Sequence, residues 1–169
     1  LEQVSLLSDD PVTRFAAVCH DLGKGLTPKE KLPSHAGHEK TGVPLVERLC
    51  KRIKTPTEYL QLAKLGCEFH LHLHRLEELK GATIVKLLEK TDAFRKPQRF
   101  AQFLQVCEAD YKGRTGFENR AYPQAKLMTE ALEACLKVEA KDLLAKGFSG
   151  KQLGEQIHKE RVEKVKEAL

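Results

Sequence analysis

The chain has 169 residues, of which 41% are hydrophobic and 31% are charged, and its formal net charge is +5 at pH 7. This size and balance are typical of a globular domain with a real core and exclude extended disorder, and the mild positive charge permits a polyanionic partner without requiring one. No window approaches the run of about 18 apolar residues that a membrane span needs, and no secretion signal is visible.

The first predicted elements are helices. Asp10 followed by Pro11 predicts an N-cap and a first helical position, and this helix is expected to stop at Gly23. A second helix carries the apolar residues of the segment 45–53. Proline is tolerated only in the first turn of a helix, so Pro44 places the start of this helix near residue 41.

The segment EFHLHLHRLEEL carries His70, His72 and His74 at alternate positions, which on a β-strand would place three imidazoles on one face. A capping box, TPTE at residues 55–58, instead starts a helix, and Gly66 weakens that helix by about 1 kcal/mol without ending it. On a helix His70 and His72 point about 200° apart, so only His70 and His74 share a face. We therefore expect a helix up to His74 and no site built from all three histidines.

Helical patterns fill most of the remaining chain. The polar segment KGRTGFENRAYP interrupts them and is too long for a simple turn. The chain, residues 1–169, is therefore expected to form a single all-α domain with six to eight helices. The further helices are predicted at residues 82–94, 97–111, 123–146 with a break near residue 138, and 151–168.

The five cysteines are widely spaced, and each lies in an apolar-periodic stretch: Cys19, Cys50, Cys67, Cys107 and Cys135. We interpret them as small buried hydrophobic residues of a cytoplasmic protein, because the cytoplasm keeps thiols reduced. Disulfide bonds and thiolate–zinc ligation are the alternatives.

The heptapeptide CHDLGKG places His20 and Asp21 side by side at the end of a helix, followed by a glycine turn. An adjacent imidazole and carboxylate can supply two ligands to one divalent cation, and this mixed pair accepts several different ions. Lys24, one turn further on, would direct its positive charge towards an incoming phosphate. Taken alone, the pair is also explained as a surface helix cap.

Further candidate ligands follow along the chain. The loop LPSHAGHEKTG supplies His35 and His38, His70 lies late in the long helix, and Asp92 lies near the end of another helix. A helical bundle can bring several helix ends together at one metal site. Each of these residues taken alone is better explained as a solvated histidine or a helix-end aspartate.

The order His-Asp, Gly-His-Glu, His, Asp resembles that of the HD-domain metal-dependent phosphohydrolases. More narrowly, the HD domain of bacterial CCA-adding tRNA nucleotidyltransferases is similar over about residues 12–160, through the stretches RFAAVCHDLGKGLTP, GHEKTG, EFH, TDAFRKPQR and EADYKGRTGFE. The resemblance implies that His20, Asp21 and Asp92 are ligands of a divalent metal ion (Mg, Mn or Ni). It also implies that His38 and His70 are further ligands or substrate contacts.

The activity that the resemblance implies is phosphate ester hydrolysis. The associated reactions are those of a 2′,3′-cyclic phosphodiesterase, a 2′-nucleotidase and a phosphatase, with Lys24 and His70 balancing the charge of the phosphate. Substrates would be tRNA ends or small phosphorylated nucleotides, and formation of a homodimer is left open. The alternative is a non-catalytic tRNA-binding body that uses the basic helices KTDAFRKPQR and HKERVEKVKEAL, which interleaved glutamates also explain as solvated faces.

Two features of the family pattern have no counterpart in the sequence. HD domains use an earlier histidine, on the helix before the His-Asp motif, and no histidine precedes His20. The nucleotidyltransferase domain of the family is also missing, and the sequence starts without a methionine. We therefore expect a fragment that binds metal weakly and hydrolyses its substrate slowly.

Overall fold

A computed structural model describes residues 1–169, which is the whole chain. The expected all-α class is confirmed, because the regular structure consists of nine α-helices with short 3-10 segments and contains no strand. No helix has both the length and the apolar character that a membrane crossing requires. The α-helices are α1 Glu2–Leu7, α2 Pro11–Cys19, α3 His38–Ile53, α4 Thr57–His74, α5 Gly81–Lys90, α6 Pro97–Lys112, α7 Pro123–Leu136, α8 Ala140–Ala145 and α9 Gly150–Ala168.

Helix α2 begins at the predicted proline and ends earlier than predicted. Asp10 is its N-cap, and the Asp10 carboxylate accepts hydrogen bonds from the backbone N–H groups of Val12 and Thr13. The α-helix ends at Cys19, and a 3-10 segment, Leu22–Leu26, replaces the expected last turn before Gly23.

Helix α3 begins three residues before the predicted position. Gly37 adopts a left-handed backbone conformation, with φ 83°, that glycine accepts without steric cost, so the loop turns into the helix at His38. Pro44 therefore lies in the second turn of α3 instead of the first. Because proline has no N–H, the carbonyl of Lys40 lacks its usual helical partner there.

The capping box predicted at the start of α4 is not formed. Pro56 is the N-cap residue, no side chain caps the helix, and the buried hydroxyl of Thr55 has no hydrogen-bond partner. Thr55 lies one position too early to reach the N–H groups of the first turn. The prediction of a continuous helix up to His74 is nevertheless confirmed.

The chain divides into two compact units, and each is described by itself. The first unit comprises Leu1–Arg75 and Ala101–Tyr122, and the second comprises Leu76–Phe100 and Pro123–Leu169. In the first unit, α4 packs against both α2 and α3. In the second unit, α9 packs against α5, α7 and α8. The expectation of one domain over residues 1–169 stays a prediction.

One face of α4 forms the centre of the first unit. Leu62, Ala63 and Leu73 on this helix are completely buried, as is Ala16 on α2. Each fully buried leucine contributes about 1.5–3 kcal/mol relative to an exposed one. Burial of this face fixes the rotation of α4 and therefore decides which of its histidines point inward.

All five cysteines are free thiols and all are buried. The interpretation as small buried hydrophobic residues is therefore confirmed, and the disulfide alternative is wrong for this structure.

Replacing Asp10 with alanine is expected to destabilise the protein by about 1–2 kcal/mol, because α2 loses its N-cap. Burial acts to raise the pKa of Asp10, but hydrogen bonds from Thr13, Gln102 and Val12 outweigh it and lower the pKa below its usual value. The stabilisation by Asp10 is therefore present above the unfolded-state pKa and lost as the pH falls through the folded-state value. Urea unfolding at pH 7 and at about pH 3 measures both effects.

The matched control is Asp9→Ala, which removes a fully exposed carboxylate that pairs only with Arg14. Surface ion pairs of this kind contribute little, so this variant should unfold like the parent chain at both pH values. Equal destabilisation by the two substitutions would contradict the assignment of Asp10 as the cap.

Candidate functional site

The His-Asp pair lies where α2 ends. His20 is the C-cap residue of α2, and its backbone N–H donates to the carbonyl of Ala16 at 3.0 Å. The side-chain Nδ1 of His20 lies 2.7 Å from the carbonyl oxygen of Ala17. A carbonyl can only accept, so Nδ1 carries a proton and Nε2 is the atom that His20 presents to the site.

Gly23 allows the start of α3 to lie directly against this turn. A Cβ atom at Gly23 would overlap the carbonyl oxygen of His38, so any other residue would push α3 away. His38 in turn donates from Nδ1 to the carbonyl of His35 at 2.8 Å. Its Nε2 therefore faces Asp21, at 3.1 Å from Oδ1.

The third imidazole comes from the last turns of α4. His70 is buried, and its Nδ1 lies 2.9 Å from the carbonyl oxygen of Gly66, one helical turn earlier. Gly66 packs tightly against α6, because a Cβ atom there would stand 3.3 Å from Cγ1 of Val106, whereas its 3.8 Å distances to the carbonyl oxygen of Ala16 and to Cβ of His20 are ordinary contacts. The rings of His20 and His70 meet edge to face, with centroids 5.1 Å apart.

Asp21 is the point on which the three imidazoles converge. Its Oδ2 lies 3.2 Å from Nε2 of His20, and its Oδ1 lies 3.1 Å from Nε2 of His38 and 3.7 Å from Nε2 of His70. The Nε2 atoms of His38 and His70 lie 3.3 Å from each other. The structure thus brings together four residues predicted from the sequence: His20, Asp21, His38 and His70.

This arrangement fits a bound cation. With Nδ1 protonated on both rings, neutral His38 and His70 direct two lone pairs at each other, which repel unless a proton or a cation lies with them. The buried Nε2 of His20 and Oδ1 of Asp21 also lack a well-aligned hydrogen bond, an uncommon state for buried polar atoms. Ligand atoms of His20, Asp21 and His70 all lie within 4.8 Å of one another, and nitrogen with oxygen donors suits a borderline divalent metal.

A second carboxylate, Asp110 on α6, completes the group. Its Oδ1 lies 3.2 Å from Nε2 of His20 and its Oδ2 lies 2.6 Å from Nε2 of His74. Sequence reasoning assigned this residue no role, although Asp110 belongs to the stretch EADYKGRTGFE that carried part of the family resemblance. An acidic residue inside a matched stretch was the signal that could have found it.

Without a metal ion, the electrostatics of the site leave one imidazole charged and one neutral. Burial opposes a charge on His20, but Asp110 and Asp21 outweigh it and raise the pKa of His20 to about 10. Burial and the charge of His20 lower the pKa of His70 to about 4, despite Asp110 and Asp21. Burial also opposes ionisation of Asp21 and Asp110, yet the close approach and positive charge of His20 hold their pKa values well below the usual range. The ionised carboxylates and the neutral His70 are in the state that metal ligation needs, whereas His20 has to lose its Nε2 proton when an ion binds.

Lys24 lies beside the carboxylate that the imidazoles share. Its ammonium group is 2.5 Å from Oδ2 of Asp21, and the side chain is half-exposed. The predicted cation is therefore present at the site and is paired with Asp21 in this structure.

Asp92, the predicted distal ligand, has other partners. It follows α5 in the second unit, in a left-handed backbone conformation with φ 57°. Its Oδ1 lies 2.5 Å from Nε of Arg95, and its Oδ2 lies 3.1 Å from an Nη atom of Arg99. The role of Asp92 as a metal ligand stays a prediction.

The histidines on α4 separate by face as the helical interpretation predicts. His70 and His74 point inward, whereas His72 is exposed and its ring contacts only the edge of Phe69, with centroids 5.8 Å apart. His35, a candidate ligand that is not part of the family resemblance, pairs with the hydroxyl of Thr27 at 2.8 Å.

The His70→Ala variant is expected to bind Mn²⁺ at least about 10–100-fold more weakly than the parent chain, because that is the usual loss for a residue that only supports a ligand. His72→Ala is the matched control on the same helix and should leave the affinity unchanged. Calorimetric titration of both variants measures the difference. Equal losses would show that the inward face of α4 has been assigned incorrectly.

The HD domain family model matches residues 3–94, which is more than half of the chain. The "Multifunctional CCA protein" of Thioalkalivibrio sulfidiphilus is 50% identical over 167 residues, covering 99% of this chain and 41% of the relative. The proteins of the same name from Hahella chejuensis and Haemophilus influenzae are 48% and 44% identical, each covering 98% of this chain. No solved structure was found to match.

The chain spans about two fifths of the length of the curated relatives it matches. Within that span the HD family model covers α2 with its His-Asp turn, the start of α3 and the whole of α4, which together supply the converging imidazoles. The chain therefore belongs to the HD domain family, whose members are metal-dependent phosphohydrolases.

Proposed function

We propose that the chain is a metal-dependent phosphohydrolase domain that cleaves 2′,3′-cyclic phosphodiesters and removes phosphate from 2′-nucleotides and other phosphate monoesters. One observation carries the proposal: the Nε2 atoms of His20, His38 and His70 converge on the carboxylate of Asp21. The rings are held in this orientation by backbone carbonyls, so the donor set exists before any ion binds.

The proposed ligands of the divalent ion (Mg, Mn or Ni) are His20, Asp21 and His70. His38 is a further ligand or a substrate contact, since its Nε2 reaches the same oxygen of Asp21. Asp110 is a further candidate ligand, because its Oδ1 lies 3.2 Å from Nε2 of His20. Asp92, the distal ligand that the family resemblance implies, stays proposed beside it.

A bound divalent ion supplies Lewis acidity to a phosphoryl oxygen and makes water a stronger nucleophile near neutral pH. The residues of the chain prepare the site for this chemistry. The carbonyl of Ala17 holds the ring of His20 through Nδ1, which directs Nε2 into the site. The half-exposed ammonium of Lys24 balances the negative charge of the incoming phosphate.

The cysteines near the site do not offer a competing nucleophile. Burial and neighbouring groups raise the pKa of the Cys19 thiol to about 12 and that of the Cys67 thiol to about 11. Because the thiolate is the reactive form of cysteine, these thiols are inert at neutral pH. Their state supports hydrolysis by water over a covalent mechanism.

We further propose that the domain works in tRNA 3′-end maturation and repair, with tRNA and small phosphorylated nucleotides as its partners, in the cytoplasm. The support is the name of the relatives, which refers to CCA. CCA addition itself is not proposed for this chain, whose candidate site has the donor set of a hydrolase.

The alternative of a non-catalytic tRNA-binding body receives less support. On α9, Lys164 pairs with Glu167 at 2.6 Å and Lys166 pairs with Glu163 at 2.8 Å. These pairs within one helix favour a solvated charged face over a row of cations available to phosphates.

The test is hydrolysis of 2′,3′-cyclic AMP and 2′-AMP in the presence of Mg²⁺, Mn²⁺ or Ni²⁺, each with a matched EDTA control. Turnover that depends on one of these ions and is lost with EDTA would support the proposal. Binding of tRNA that weakens with salt, without turnover under any condition, would favour the non-catalytic alternative.

A further inference from the structure

Asp110 is held between two imidazoles, one on each of its oxygens. Oδ1 faces Nε2 of His20 at 3.2 Å, and Oδ2 faces Nε2 of His74 at 2.6 Å. The second contact is the shorter one and has the length of a charge-assisted hydrogen bond. His74 therefore fixes the position of the carboxylate that faces His20.

His74 is itself held by a residue distant in sequence. Its Nδ1 lies 3.1 Å from the hydroxyl oxygen of Tyr122, and both side chains are buried. A carboxylate can only accept, so Nε2–H of His74 donates to Asp110. In the neutral ring this leaves Nδ1 as an acceptor, and the hydroxyl of Tyr122 donates to it.

The hydroxyl of Tyr122 is not needed for packing. The Tyr122 ring packs on Tyr111, with centroids 5.0 Å apart, and against the edge of His74 at 5.8 Å. A phenylalanine would keep these ring contacts, so the hydroxyl adds the bond to His74. Tyr122 also lies in the polar segment KGRTGFENRAYP, which connects α6 and α7.

We propose that His74 and Tyr122 are positioning residues that hold Asp110 towards His20. The proposal rests on the proposed function, because its purpose is to orient a carboxylate of the hydrolytic site. In this chain the order of contacts is Tyr122, His74, Asp110, His20, and all four residues lie in the first unit.

The Tyr122→Phe variant tests the outer bond without disturbing packing. We expect it to weaken Mn²⁺ binding, but by less than the about 10–100-fold typical for a residue that contacts a metal ligand directly, because Tyr122 acts through His74. We also expect a lower kcat for 2′,3′-cyclic AMP with KM nearly unchanged, since neither Tyr122 nor His74 is proposed to touch the substrate. Tyr111→Phe is the matched control, because it removes a hydroxyl from the same aromatic cluster and no bond to His74.

The inner bond is tested with two substitutions of His74. Glutamine keeps an N–H that can donate to Asp110, whereas leucine fills the space but has no hydrogen-bond donor. His74→Gln should therefore retain more Mn²⁺ affinity than His74→Leu, although both fill the space. A purely structural role would be expected to give equal affinities for two variants of equal melting temperature.

A measurement on the metal-free protein separates this proposal from the proposed function. The ¹⁵N chemical shifts of the His20 ring should change in Tyr122→Phe and in His74→Leu, and should be unchanged in Tyr111→Phe. Unchanged His20 signals together with unchanged Mn²⁺ affinity would overturn the positioning role, whatever the activity. Shifted signals in a chain that hydrolyses nothing would leave the positioning role standing and overturn the proposed function instead.

Discussion

The Asp21→Asn variant is expected to hydrolyse 2′,3′-cyclic AMP at a metal-dependent rate at least about 100-fold lower than that of the parent chain. The side-chain shape is kept, but the negative charge shared by His20, His38 and Lys24 is removed. Loss of an outer partner already costs about 10–100-fold, and a direct ligand should cost at least the upper end of that range. Steady-state rates at saturating Mn²⁺, with calorimetric Mn²⁺ titration beside them, measure the effect.

Asp9→Asn is the matched control for Asp21→Asn. It makes the same chemical change on the same unit, at a carboxylate that is fully exposed and pairs only with Arg14. Its rate should equal that of the parent chain. Circular dichroism must show cooperative melting for both variants. A folded Asp21→Asn variant with a near-normal rate would show that the metal centre has been placed on the wrong residues.

The parts of the fold that follow from local sequence were predictable. Asp10 before Pro11 gives a cap and a helix start, and both are present. The apolar pattern of α4 decides that His70 points inward and His72 outward, as expected. The site could be anticipated at His20 and Asp21 because adjacent ligand types at a helix end are visible in the sequence itself.

The parts that depend on packing were not predictable from local pattern. Pro44 was used to place the start of α3, yet Gly37 starts the helix earlier because its left-handed backbone and the fit of Gly23 against His38 decide the position. The same holds for Thr55, which the sequence pattern makes the cap of α4. The helix instead begins one residue later, with Pro56 as its N-cap residue. Local rules of this kind give a preference that tertiary contacts override.

Asp110 is the clearest case of this limit. It lies inside α6, and the HD family model stops before it, at residue 94. Its contact with Nε2 of His20 joins residues far apart in the chain, and the contacts of Asp92 within the second unit are with Arg95 and Arg99. No periodic pattern in the sequence predicts either of these pairings.

Asp110→Asn is expected to weaken Mn²⁺ binding and slow hydrolysis by at least about 10–100-fold, because the site loses the second carboxylate beside Nε2 of His20. Asp92→Asn removes the same charge, and asparagine accepts the left-handed backbone of that position. Because Asp92 is the predicted distal ligand, this variant should also lose at least about 10–100-fold of the hydrolytic rate, and the lost pairs with Arg95 and Arg99 should lower the melting temperature. Rates and thermal melts of both variants, measured side by side, test the two aspartates separately. A near-normal rate in either folded variant would remove that aspartate from the site.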